Sequence, residues 1–139
     1  MSYSSAPRDE TWRGWAEGEP APQGSKSVSR AGRTYETNKR TMPWRRHLHA
    51  TWAPTAPPVP LDGPIAVRMT FYQTRPRTVR RQAPTVPPDV DKLCRAVADS
   101  LTQARVIVDD SRIVDLHATK AYTTEGQPPG VLVQIWTMR

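Results

Sequence analysis

The clearest periodicity in the chain follows Gly63-Pro64, where Ile65, Val67, Met69 and Phe71 alternate with Ala66, Arg68, Thr70 and Tyr72. Alternation at every second position puts the four large apolar side chains on one face of an extended chain, so this segment reads as a half-buried strand. A longer period follows. Val90, Leu93, Val97 and Leu101 recur at three- and four-residue steps with Cys94 beside them, which predicts an amphipathic helix from about Val90 to Gln103. Trp44, Leu48 and Trp52 recur at four-residue steps behind Thr41 and Pro43, and proline is tolerated in a first helical turn. A second helix is expected there, with both tryptophans in the core and Arg45, Arg46 and His49 directed elsewhere.

Three shorter patterns complete the reading. Val106-Ile107-Val108 predicts a short strand ending at Asp109-Asp110, and Ile113–Tyr122 and Val131–Trp136 predict two more, joined by the turn-forming stretch 124–130. A weaker, polar first strand is expected around residues 12–17. Strands mixed with two helices, without internal repeat or heptad run, give an α+β fold: a single domain in which a mixed β-sheet packs against two helices. With 139 residues the chain supports one core. Residues 1–19 are expected to be a flexible tail and residues 20–139 the domain. Fifteen prolines, many in the connector 51–60 and in 73–88, argue for long loops and against a helical bundle.

Charge changes the picture. The net charge is +7, and it is uneven. From Lys26 to Arg81 twelve cations face two acids, Glu36 and Asp62, leaving +10 there and −3 for the rest of the chain. A basic body with an acidic remainder predicts a phosphate-binding surface around a small cation site. Lys26, Arg30 and Arg33, in a loop rich in small residues, and Arg75, Arg77, Arg80 and Arg81, in an arm just before the acids, are the expected DNA contacts. His47 and His49 have no matching ligand set and read as surface residues. The single cysteine, Cys94, forms no internal disulfide, no run of about 18 apolar residues occurs, and the N-terminus lacks the apolar core of a signal peptide. A soluble, cytoplasmic protein without membrane association is expected.

The candidate chemistry lies in that acidic remainder. Asp89 and Asp91 stand at one end of the predicted second helix, and Asp109 and Asp110 beyond the other. Residues i and i+2 share a face of an extended chain, and Pro87-Pro88 favour extension, so Asp89 and Asp91 are expected to point the same way. A helix packing back on the next strand brings Asp110 towards them. Carboxylates without His or Cys companions favour a hard ion, Mg2+ with Mn2+ as substitute. Such an ion binds a phosphate oxygen, orients water and offsets charge on a scissile phosphate. Arg95, one turn after Asp91, is placed to position that carboxylate and stabilise the transition state. The plainer explanation is that Asp89 and Asp91 cap a helix and Asp109-Asp110 form a turn. It suffices for either pair alone; both pairs, bracketing one helix in a basic chain, favour the metal.

Asp89-Val90-Asp91-Lys92-Leu93, Ala96-Val97-Ala98-Asp99-Ser100-Leu101, Val108-Asp109-Asp110-Ser111-Arg112-Ile113-Val114 and Lys120 together resemble the RusA-type Holliday junction resolvases. That family's hallmark is D-x-D, a helix, a short apolar strand, then D-D-x-x-V and a later lysine. Pro20-Ala21-Pro22-Gln23-Gly24-Ser25-Lys26 also looks like the opening loop of its bacteriophage members. The resemblance spans roughly residues 20–136. It implies a homodimer that binds branched DNA, four-way junctions above all, in recombination and repair, and cuts two opposed strands with Mg2+. It places Asp89, Asp91 and Asp110 on the metal-binding aspartates, and adds Lys92 and Lys120 to the DNA contacts. The family's prototype carries asparagine at the position of Lys92 and a functionally important lysine at that of Arg95. Arginine keeps the charge but spreads it over a planar fork. The rival reading is a non-catalytic basic nucleic-acid-binding protein, which composition alone allows. A basic structural protein of a virus particle needs neither metal nor this spacing.

Overall fold

The computed structural model describes residues 9–22, 26–28, 34–36 and 40–138. Along these the elements run β1 (Trp12–Glu17), β2 (Lys26–Val28), β3 (Thr34–Glu36), α1 (Thr41–Trp52), β4 (Ile65–Gln73), α2 (Val90–Gln103), β5 (Ile113–Tyr122) and β6 (Gly130–Thr137). Single 3-10 turns follow α1 at Ala53–Thr55 and precede β5 at Asp110–Arg112. Four strands form one mixed sheet in the order β1-β6-β4-β5, with β4 and β5 parallel and the other neighbours antiparallel. β2 and β3 pair separately. This is the expected α+β arrangement of a mixed sheet against two helices.

The alternation in β4 sets the core. Ile65, Val67, Met69 and Phe71 are all buried, and β6 brings Val131, Val133 and Ile135 into register beside them. Both helices lie over these side chains: α2 with Leu93, Ala96, Val97 and Leu101, α1 with Trp44, Leu48 and Trp52. Each large apolar side chain so buried contributes about 1.5–3 kcal/mol. The helices also share a buried polar link. Trp52 Nε1 donates to Ser100 Oγ at 2.9 Å, and that hydroxyl donates to the Val97 carbonyl at 2.7 Å. The Trp52 indole and the Ser100 hydroxyl are thereby both satisfied.

Two expectations change, and a third is met more firmly than its sequence signal. Val106–Val108 does not form a strand. Its backbone makes one parallel bridge, Leu61 with Ile107, closed by Leu61 N to Val106 O and Val108 N to Leu61 O, both 2.9 Å. Arg105, at φ 63°, turns the chain out of α2, and Asp109 already caps the next turn, so too few residues remain for a ladder. Val90 is 37% exposed at the first position of α2, and the buried stripe instead takes in Ala96 and Ser100. The weak first strand is firmly built in: β1 pairs with β6 from Trp12 opposite Ile135 to Glu17 opposite Gly130, and Trp12 and Ala16 are core residues. The sheet thus reaches back into the stretch assigned to the tail. Gly14 permits this, since a Cβ there would lie 2.5 Å from ring atoms of both Trp12 and Trp52. Those two rings meet edge to face at 5.4 Å over it. Among the described residues no helix is long and apolar enough to cross a membrane.

Candidate active site

Asp89 is the residue before α2, in extended conformation at φ −71° and ψ 142°, and Asp91 already belongs to the first helical turn. Negative charge here suits the helix dipole. Because helical rotation begins between them, the two acids do not share an extended face, contrary to the reading from Pro87-Pro88. Asp89 Oδ2 lies 4.0 Å from Lys92 Nζ. Asp91 aligns instead with Arg95 and Asp99 at four-residue steps, a line of about 12 Å at the helical rise.

That line forms one wall of a cleft of about 570 Å³. Val90, Asp91, Cys94, Arg95, Ala98 and Asp99 line it from α2, Met69, Ile113, Leu116 and Ala118 from the sheet, and Asp110 from the 3-10 turn. The cleft exists because β5 is an edge strand that the helices leave half covered; Leu116 is 48% exposed. Cys94 is buried in its wall. Burial, and secondarily the negative charge of Asp91, push its thiol up to about 11, so it stays protonated and offers no soft ligand.

Asp109 and Asp110 divide their roles. Asp109 caps the 3-10 turn, its Oδ2 accepting from Ser111 N at 2.9 Å. Hydrogen bonding from Ser111, and then the charge of Arg112, hold its carboxyl below the ordinary range. Arg112 Nε donates to Asp62 Oδ1 at 2.6 Å, which fixes the same turn from the far side and lowers the Asp62 carboxyl. Asp110 is left facing the cleft. It also faces a second cavity of about 270 Å³, lined by Arg45, Asp99, Thr102, Gln103 and Asp109 as well. Asp99 and Asp110 border both spaces.

Of the three acids expected to converge, Asp91 and Asp110 line one cleft and Asp89 does not line it. Among the described residues no three His, Cys, Asp or Glu side chains gather closely enough to hold one ion. The donors present still suit a hard divalent ion, since Mg2+ is usually held by one or two carboxylates with water and a substrate phosphate completing its shell.

The expected cations are dispersed. Lys26 opens β2, while Arg30 and Arg33 lie outside the described residues. Arg75 and Arg81 fold onto Tyr122 of β5, their guanidinium carbons 5.4 and 5.9 Å from the ring centroid. Arg81 Nε donates to the Tyr122 hydroxyl at 2.8 Å, and Arg75 donates to the Arg81 carbonyl. Arg77 and Arg80 are exposed on the same arm. Lys120 is turned to another use: its Nζ donates to the Val86 and Pro88 carbonyls at 2.9 Å each, tying the segment before Asp89 to β5. His47, read as a surface residue, is exposed and donates from Nε2 to the Glu17 carbonyl at 2.6 Å.

Two charged lining residues carried no role in the sequence reading. Asp99 had a signal, its four-residue step from Arg95 on the face of Asp91. Arg45 had only its direction away from the apolar stripe, and its destination depends on how α1 meets α2.

A family model described as Endodeoxyribonuclease RusA matches residues 17–136. The chain is also 26% identical over 122 residues to Uncharacterized protein YqaN of Bacillus subtilis (strain 168), a match covering 78% of this chain and 85% of that protein.

Proposed function

Because the chain belongs to the RusA endodeoxyribonuclease family, we propose that it resolves four-way DNA junctions by paired symmetric nicks, acting as a homodimer in the cytoplasm during recombination and repair. One observation carries the assignment of the site: Asp91, Arg95 and Asp110 line a single cleft at the edge of the sheet in a chain of net charge +7. A polycation that gathers acids into one groove is suited to holding a divalent ion against a polyanion.

Asp91 and Asp110 would hold Mg2+, or Mn2+ in its place, with Asp89 adding negative charge from the position before α2. When bound, the ion supplies Lewis-acid neutralisation of phosphate charge and a more acidic water. Arg95 donates to the non-bridging oxygens as charge grows on them during attack by water. Its planar fork engages two oxygens at once, which a lysine does not. Lys120 holds Val86 and Pro88, and so fixes where Asp89 and the start of α2 stand relative to β5. Arg75, Arg77, Arg80 and Arg81, with Lys26, Arg30, Arg33 and Lys92, grip the flanking backbone through charge.

The test is to incubate labelled four-way junction and linear duplex with the protein, with and without Mg2+. Metal-dependent symmetric nicks confined to the junction are expected. Binding of both substrates without cutting under any divalent metal would instead indicate the non-catalytic binder.

A further inference from the structure

We propose that Arg45 is a second phosphate-binding residue, which takes the phosphodiester adjacent to the one held beside Arg95. The identity of the polyanion rests on the nuclease reading; the receptor itself rests on the surroundings of Arg45.

Arg45 sits on α1 directly after Trp44, whose burial anchors that turn of the helix. Its side chain is only 17% exposed, yet its donors are poorly used. Nε is buried without a hydrogen-bond partner among the described residues. A terminal nitrogen stands 3.9 Å from Asp99 Oδ2, an ion pair too long for a hydrogen bond. A guanidinium does not shed its proton, and burying one with donors unfilled is costly. Nε itself is sealed from solvent, but the terminal nitrogens make no hydrogen bond among the described residues and Arg45 lines the smaller cavity, where a phosphate matches the planar fork at two points.

The cavity says which part of a nucleic acid it takes. Arg45, Asp99, Thr102, Gln103, Asp109 and Asp110 line it, all of them polar, so it offers no surface on which a base could stack. Its position says which phosphate. Asp99 and Asp110 border this space and the larger cleft alike, so a strand with one phosphate beside Asp91, Arg95 and Asp110 crosses that divide into the space of Arg45. The three carboxylates around the smaller cavity repel an entering anion, and Arg45 is the lining cation that offsets them. Its loss therefore weighs more than that of a cation on an open surface.

The experiment uses full-length protein and junctions carrying a single uncharged methylphosphonate at each linkage in turn, with equilibrium binding as the readout. Wild type should lose about tenfold in affinity at one linkage beside the cut, and Arg45→Met about tenfold on the unmodified junction, with no further loss at that linkage and a log–log salt slope shallower by about one. Arg45→Lys, which keeps the charge without the fork, should retain part of the affinity and the same sensitive linkage. Multiplying losses in Arg45→Met at every linkage, or wild-type affinity in that variant, overturns the proposal. Should Arg45→Met fail to fold, the scan of wild type and Arg45→Lys decides: absence of any singular linkage in wild type overturns it. Cutting is scored separately in Mg2+. Wild type that binds with this pattern but never nicks sinks the nuclease reading and leaves the receptor standing; wild type that does not bind junctions sinks both.

Discussion

The two helices cover the same sheet face with opposite economies of volume. α1 fills its share with two tryptophans and a leucine, and its inner face is closed. α2 packs with Ala96, Val97 and Ser100 among its leucines, lies against β5 and α1, and leaves β5 half covered. Bulk makes α1 a pillar of stability. Smallness makes α2 the wall of a cleft, with the polar line Asp91-Arg95-Asp99 along it.

Substitutions in the two helices should therefore fail in different ways. Trp52→Ala should cost about 3–5 kcal/mol of stability, since it empties a large core site and strips Ser100 of its donor, and denaturant unfolding would measure it. Asp91→Asn should leave the unfolding curve nearly unmoved while lowering single-turnover junction cleavage by about a hundredfold to a thousandfold. Junction affinity in that variant should be unchanged or higher, because a charge that repels phosphate is gone. Lost binding alongside lost cutting would contradict the role given to Asp91. Gly14→Ala tests the α1 side from the strand, and should cost about 1–3 kcal/mol in thermal or chemical unfolding by forcing the Trp12–Trp52 pair apart.

The smallest effect concerns the turn that carries Asp110. Asp62 and Asp109 have folded carboxyl values below their ordinary 3.8. Their contribution is fully present above the unfolded value and is lost as pH falls through the lower folded one. Asp62 is exposed and Asp109 half-buried at the surface, so the loss is modest and confined to pH below about 4. Arg112→Ala should flatten the acid limb of a melting-temperature profile below about pH 4; an unchanged limb would show that the Asp62–Arg112 contact does not hold the turn.

Most of the architecture could be read from periodicity. β4 announces itself by alternation, and α2 spans the very residues its three- and four-residue steps mark, because one face of each element is buried and the other is wet. β1 was faint since its polar residues face water and only Trp12 and Ala16 reach the core. Val106–Val108 looked like a strand because it is apolar, yet the burial of Val106 and Ile107 comes from the turn after α2 rather than from a ladder. Within the site, the residue types were legible and their grouping was not. A helix that starts at Val90, as the pattern marked, already takes Asp91 off the extended face of Asp89. Arg45 enters only through the contact between two helices, which no local pattern encodes.

Tyr122 and Lys120 give the long arm between β4 and α2 a mechanical meaning. The first gathers Arg75 and Arg81, the second grips Val86 and Pro88, and both belong to β5, so the arm is stapled along its length to one strand. A loop fastened this way behaves as a gauge rather than a tether. Under the proposed function, the separation between where a duplex is grasped and where it is nicked would be fixed by residue count, and lengthening the arm between the two staples should displace the nick before it weakens the grasp.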